Sequence, residues 1–208
     1  MTIINWPAYR KWKAGATSIS KLDQIQRFLL QKWLVDNLNC LMDDILIIHT
    51  DLLIGQEVSK RFQLHGIDKA GNVVILAFEL SGSPEDSLLS GLKLAGYYAL
   101  ITSDNIISIY GDYLKSNGNN NNAYEVVKEF LGPSVLKDKL NFGNTQRIIL
   151  MAEKFDKSYT ALAFYLMNCG VTIDNYVAIP YLNNENLSLR LEKFLIDKDS
   201  ILYNVAEI

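Results

Sequence analysis

A chain of 208 residues and 23.5 kDa, 49% hydrophobic and 21% charged, can bury roughly 70% of the surface its unfolded form exposes. Wholesale disorder is excluded, and folding needs neither disulfides nor a structural metal. Twenty basic against 23 acidic residues give a formal charge of −3, which argues against coating nucleic acid by bulk attraction to phosphate.

The longest apolar run, Val73 to Phe78, falls far short of the roughly 20 residues a membrane helix needs. A proline and charges stand near the N-terminus where a signal peptide would be apolar. Cys40 and Cys169 have no CxxC or Cys/His spacing, so they read as reduced core thiols and not as zinc ligands. The expectation is a cytoplasmic protein with no membrane partner. The first 22 residues hold Arg10, Lys11, Lys13 and Lys21 with no acid, interleaved with Trp6, Tyr9 and Trp12. Such an arm can stack on bases while its cations hold phosphates, or can serve as a strap whose aromatics pack on the domain.

Ser20 followed by Asp23 predicts a helix start, and Leu22, Ile25, Phe28, Leu29 and Trp33 recur at helical spacing through about Asn37. Strands come next at Ile45–Ile48, Leu52–Val58, Arg61–Ile67 and Val73–Leu80, with Asp68 to Asn72 as the last turn. The unalternating run from Val73 to Phe78 predicts a strand covered on both faces. Ser83-Pro84 then opens a helix over about Glu85–Leu100, whose Leu88, Leu89, Leu92 and Ala95 share a face. Ile106–Tyr110 reads as strand and Asn117–Asn122 as a solvated polar tract. Arg147–Ala152 reads as strand, Tyr159–Met167 as helix stopped by Cys169-Gly170, and Tyr176–Tyr181 as strand. Leu187–Leu195 fits either type. This order predicts an α/β or α+β layer domain built on a mixed sheet.

Glu79 ends the buried strand beside the turn that opens the next helix, a place where sites often form, although a lone Glu at a strand end is ordinarily solvated. Three stretches around it, Leu52 to Val58, Gly66 to Ile75 and Glu79-Leu80-Ser81-Gly82, with the helix after them, resemble the PD-(D/E)XK nuclease superfamily, in its NucS-like endonuclease branch. The segment Asn144 to Leu150, with the helix after it and Cys169 to Asp174, is similar to the region C-terminal to that core in related bacterial proteins. The resemblance implies an α/β, restriction-endonuclease-like core, a mixed central β-sheet flanked by helices. The resemblance covers roughly Asp44 to Tyr181, and with the composition of the N-terminal segment the expected organisation is a basic and aromatic arm over residues 1–20, a nuclease-like domain over 21–182, and an extension over 183–208 packed on that domain.

Phosphodiester hydrolysis of this kind needs carboxylates holding Mg²⁺ and a lysine to orient the nucleophile or offset developing charge. Carried over, the family's metal-binding Asp falls on Gln63, the Glu of the E-x-K element on Glu79, its Lys on Ser81 and the branch's helix Gln on Ser90. Only Glu79 keeps the chemistry. Asp68, five residues from Gln63, lies some 16 Å along the strand and on its other face, so it is a poor substitute. Asp86, Ser90, Lys93 and Tyr97 share a stripe on the following helix, so Lys93 could be a relocated catalytic lysine with Glu85 or Asp86 as the missing acid, or the stripe could be a plain polar face. His65 and His49 belong to no ligand or nucleophile motif, and His65 reads as packed or hydrogen-bonded on a sheet face.

The sequence thus leads to a catalytically disabled nuclease-fold protein with a degenerate active site. It would bind DNA through the old groove with Arg10, Lys11, Trp12 and Lys13, or bind a protein partner, and would need no cofactor. The rival reading is an active Mg²⁺-dependent DNA endonuclease using Glu79 as a weak metal ligand, a relocated acid, and Lys93. A self-associating homodimer and a monomer both fit the apolar fraction.

Overall fold

The computed structural model describes residues 2–5, 15–16, 30, 32–38, 42–50, 61–79, 83–132, 146–183 and 186–196. In chain order these form β1 (Thr2–Asn5), β2 (Gly15–Ala16), helix α1 (residues 32–38), β3 (Ile45–Thr50), β4 (Arg61–Asp68) and β5 (Val73–Glu79). Three helices come next in succession, α2 (Pro84–Tyr98), α3 (Ser103–Ser116) and α4 (Ala123–Leu131), and then β6 (Gln146–Ala152), α5 (Lys157–Asn168), β7 (Thr172–Asn183) and β8 (Asn186–Phe194). The described strands make one eight-stranded mixed sheet in the order β1-β8-β7-β6-β5-β4-β3, with β2 paired to β7.

The β3-β4-β5 meander is antiparallel, whereas β5, β6 and β7 run parallel and are joined by helical crossovers. Parallel neighbours need such crossovers because a tight turn can only reverse the chain. The meander's last turn is set by its residues: the Asp68 carboxylate accepts from Ala70 N at 3.0 Å and Asn72 N at 2.9 Å, and Gly71 takes a φ of 85° that a Cβ would strain. Strands from residues 1–20 and from 183–208 join the same sheet as the central ones.

Side-chain alternation along β5 divides the core in two. Val74, Leu76 and Phe78 pack with Leu30, Trp33, Leu34 and Leu38, which places α1 on one face of the sheet. Val73, Ile75 and Ala77 point to the opposite face, under α2, α3, α4 and α5. Every residue of β5 is buried, as its unbroken apolar run predicts for a strand covered on both sides. The result is an α/β protein with three layers, and no described helix is long and apolar enough to cross a membrane.

At the N-terminal end of the parallel strands, on the α1 face, the Arg147 guanidinium reaches Asp44 at 2.9 Å and Asp174 at 2.8 Å, and Lys193 reaches Asp174 at 2.8 Å. Burial alone would raise the Asp174 carboxyl, but the hydrogen bonds from Lys193 and Arg147 outweigh it and hold it below its usual value. This clasp ties the start of β3 to β6, β7 and β8.

Several expectations need correction. Ile106–Tyr110 is not a strand but the middle of α3, whose buried Ile106, Tyr110 and Leu114 recur every four residues. Thr102 and Asn105 form a capping box that starts this helix, and its β-branched residues are overridden by packing against β3. Helix α4 comes after the Asn tract, and Asn122 caps it. The tract itself is an exposed loop between the two helices. Strand β7 begins four residues before the expected Tyr176, and the ambiguous Leu187–Leu195 segment lies in β8 up to Phe194. Cys169 is exposed at the end of α5 and not a core thiol; Cys40 lies outside the described residues. So does the expected Leu52–Val58 strand.

Candidate functional site

Helix α2 is set against the C-terminal end of β5 by its own sequence. Ser83 is the N-cap, its side chain accepting from Glu85 N at 3.2 Å, and Pro84 occupies the first turn where its missing N–H costs nothing. Gly91 lets the helix approach β6: a Cβ there would lie 3.2 Å from Ile148 Cγ2.

This close approach places a row of helix hydroxyls over polar side chains that the sheet buries. On the helical face of the sheet, Gln63 pairs with Ala77, Ala77 with Leu150, and Leu150 with Asn175, so Gln63 and Asn175 share one cross-strand row. Glu79 lies two residues beyond Ala77 and His65 two residues from Gln63, all on the same face. Each of the four meets a hydroxyl. Ser87 Oγ donates to the Glu79 carboxylate, and Ser90 Oγ makes a long 3.5 Å contact to Gln63 Oε1. Tyr98 Oη and His65 Nδ1 share a hydrogen bond of 2.8 Å, and the Tyr159 hydroxyl of α5 donates to Asn175 Oδ1. Three of these hydroxyls come from α2, and the spacing of Ser87, Ser90 and Tyr98 keeps them on its sheet-facing side.

Burial sets the electrostatics of this seam. Desolvation, with the neighbouring His49, lowers His65 from 6.5 to about 4, so its imidazole is neutral at physiological pH. The His49 ring lies 5.1 Å away, brought opposite His65 by a register shift in β3 between Ile47 and His49. Burial, followed by the charge of Glu85, pushes the Tyr159 hydroxyl upward. A buried polar side chain is tolerated only with a partner, and the helix layer supplies one to each of these four. Gln63 is the exception in part: its Nε2 is buried with no hydrogen-bond partner among the described residues.

The residues singled out in the sequence separate into three groups. Gln63 and Glu79 are brought together as diagonal neighbours on adjacent antiparallel strands, about 7–8 Å apart in such a pair. Glu79 is only 6% exposed, where a solvated carboxylate was expected at a strand end. Lys93 is exposed, about 9 Å along the axis of α2 and about 120° around it from Ser87, as helix geometry requires of residues six apart. Ser81 and the arm residues Arg10, Lys11, Trp12 and Lys13 lie outside the described residues.

The donor chemistry of this pair does not fit a divalent cation of the Mg²⁺ type. A hard dication is held by one or two carboxylates with room for several waters, whereas Glu79 is enclosed and accepts from Ser87, and Gln63 offers a neutral amide oxygen turned toward Ser90.

Sequence reasoning missed Ser87, Tyr98, Tyr159 and Asn175. The recurrence of Ser83, Ser87 and Ser90 along one side of a helix that also carries Leu88 and Gly91 was the available signal. Tyr159 and Asn175 gave none, because their pairing depends on which helix covers which strand. Comparison with known proteins gives no matching family model, curated protein or solved structure.

Proposed function

We propose that this chain is a non-catalytic protein on a restriction-endonuclease-like core, acting as a nucleic-acid-binding or protein-interaction module. The antiparallel meander, helix α2 after its last strand, and β6 parallel to that strand support the core assignment, while α3 and α4 between α2 and β6 are not part of the order the sequence resemblance implies. Glu79 lies at the end of that last meander strand, with Gln63 on its neighbour. The observation that carries the functional reading is the Glu79–Ser87 hydrogen bond: the one carboxylate retained at a family position is buried and committed to a helix serine. A carboxylate so engaged stabilises the α2–β5 contact and offers little to a metal or a water nucleophile.

The test is incubation of the full chain with plasmid and single-stranded DNA in Mg²⁺ or Mn²⁺, alongside a gel shift over a salt series. DNA left uncut but shifted, with affinity falling steeply as salt rises, supports binding through phosphate contacts. Salt-insensitive capture of a protein supports the other branch. Metal-dependent cutting lost in Glu79→Ala or Lys93→Ala would replace the proposal with the endonuclease reading.

A further inference from the structure

The solvent-facing side of α2, flanking the seam, carries a second organised surface. Asp86, Leu89, Lys93, Tyr97 and Leu100 recur at three- and four-residue intervals and are all exposed, Leu89 by 52%, Tyr97 by 56% and Leu100 by 86%. Helix α5 packs beside α2 on the same face of the sheet, and each comes after one of the parallel strands, so they run in the same direction. Helix α5 also exposes apolar side chains, Leu162 by 41% and, one turn further on, Tyr165 by 65%. Single exposed apolar residues are ordinary; two adjacent helices presenting them on one side are not.

We propose that this face binds a second copy of the same chain, with the two α2 helices antiparallel across a twofold axis beside Leu89. The charges select that occupant and that register. Asp86 and Lys93 stand two turns apart and bracket Leu89, so a twofold axis between Leu89 and Ser90 sets Asp86 of each copy against Lys93 of the other. The stripe is complementary to itself. Sliding the axis to Lys93 would oppose two lysines, which fixes the pairing by repulsion as well as attraction. Leu89 then meets its own symmetry mate at the centre, with Leu162 and Tyr165 alongside and the charged pairs at the rim, the arrangement of a self-complementary interface. The inference is independent of any nucleic-acid or protein partner.

The test is sedimentation equilibrium of the full chain, native and as Asp86→Lys, Lys93→Asp and the double swap. Native protein associates to a dimer. Each single variant raises the dissociation constant at least about tenfold, because it turns two attractions into two repulsions across the twofold axis. The double swap recovers native association, and so does an equimolar mixture of the two single variants, since one copy then carries two cations and the other two anions. Leu89→Glu, at an exposed position, abolishes the dimer while leaving the far-ultraviolet circular dichroism unchanged. A native chain that stays monomeric at about 100 μM, a concentration at which a micromolar dimer would be nearly complete, overturns the proposal. A dimer indifferent to these substitutions overturns it as well, as does a mixture that fails to associate when the native chain does.

Discussion

Ser87 on α2 donates its hydroxyl proton to the carboxylate of Glu79 at the end of β5, with both side chains buried. This hydrogen bond joins the helix layer to the sheet at the end of the buried strand. A hydrogen bond in a dry interface contributes more than one exposed to water, and removing the donor takes one hydrogen bond from a buried side chain. Ser87→Ala should therefore cost about 1–3 kcal/mol in urea unfolding. A double-mutant cycle with Glu79→Gln should show coupling between the two positions; additivity would mean that the bond contributes nothing.

His65 makes stability depend on pH. Its folded value of about 4 lies below the unfolded 6.5, so between these limits the unfolded state binds more protons. The neutral, buried imidazole contributes fully above pH 6.5, and that contribution is lost as pH falls toward 4, a change of order 3 kcal/mol. Unfolding free energy measured from pH 7 to 4 should fall accordingly, and His65→Gln should flatten the slope. An unchanged slope in the variant would assign the pH dependence to other groups.

Gln63 should respond differently from Glu79. Its Nε2 is buried without a partner among the described residues and its contact to Ser90 is long, so the amide gains little from its place in the fold. Gln63→Met, close in shape and with no polar hydrogens to satisfy, should leave stability unchanged or raise it by up to about 1 kcal/mol. A loss of 2 kcal/mol or more in the same unfolding assay would show that the amide is well satisfied in solution.

The meander and α2 were legible in the sequence because local chemistry and tertiary position agree there. Asp68 and Gly71 write the turn, the unbroken Val73–Phe78 run writes a doubly covered strand, and Ser83-Pro84 writes a helix start. Helix α3 was not legible in the short window Ile106–Tyr110, whose β-branched and aromatic residues favour strand; the wider spacing of Ile106, Tyr110 and Leu114 and the Thr102–Asn105 cap carry the helical signal. Of the site, Glu79 was legible from its place at the end of the buried strand, and Gln63 only through the family resemblance. Tyr159 and Asn175 were not, because their pairing arises only once α5 lies across the sheet.

Arg147 should matter to the opposite end of the sheet. Its guanidinium bridges Asp44 and Asp174, and Asp174 is only 17% exposed on its side chain. Arg147→Met should lower stability by about 1–3 kcal/mol, leaving Lys193 as the remaining cation on Asp174. The carboxyl of Asp174 should then titrate higher, readable by its side-chain carbon shift in an NMR pH series; an unshifted titration would contradict the role given to the guanidinium.

In the function proposed above, the enclosed Glu79 carboxylate supports no metal-dependent cleavage. The most direct measurement is supercoiled plasmid conversion by the full native chain in Mn²⁺, with Glu79→Ala as the paired control. Native and variant protein should leave the plasmid equally intact. Nicking or linearisation by the native chain that disappears in Glu79→Ala would contradict that function.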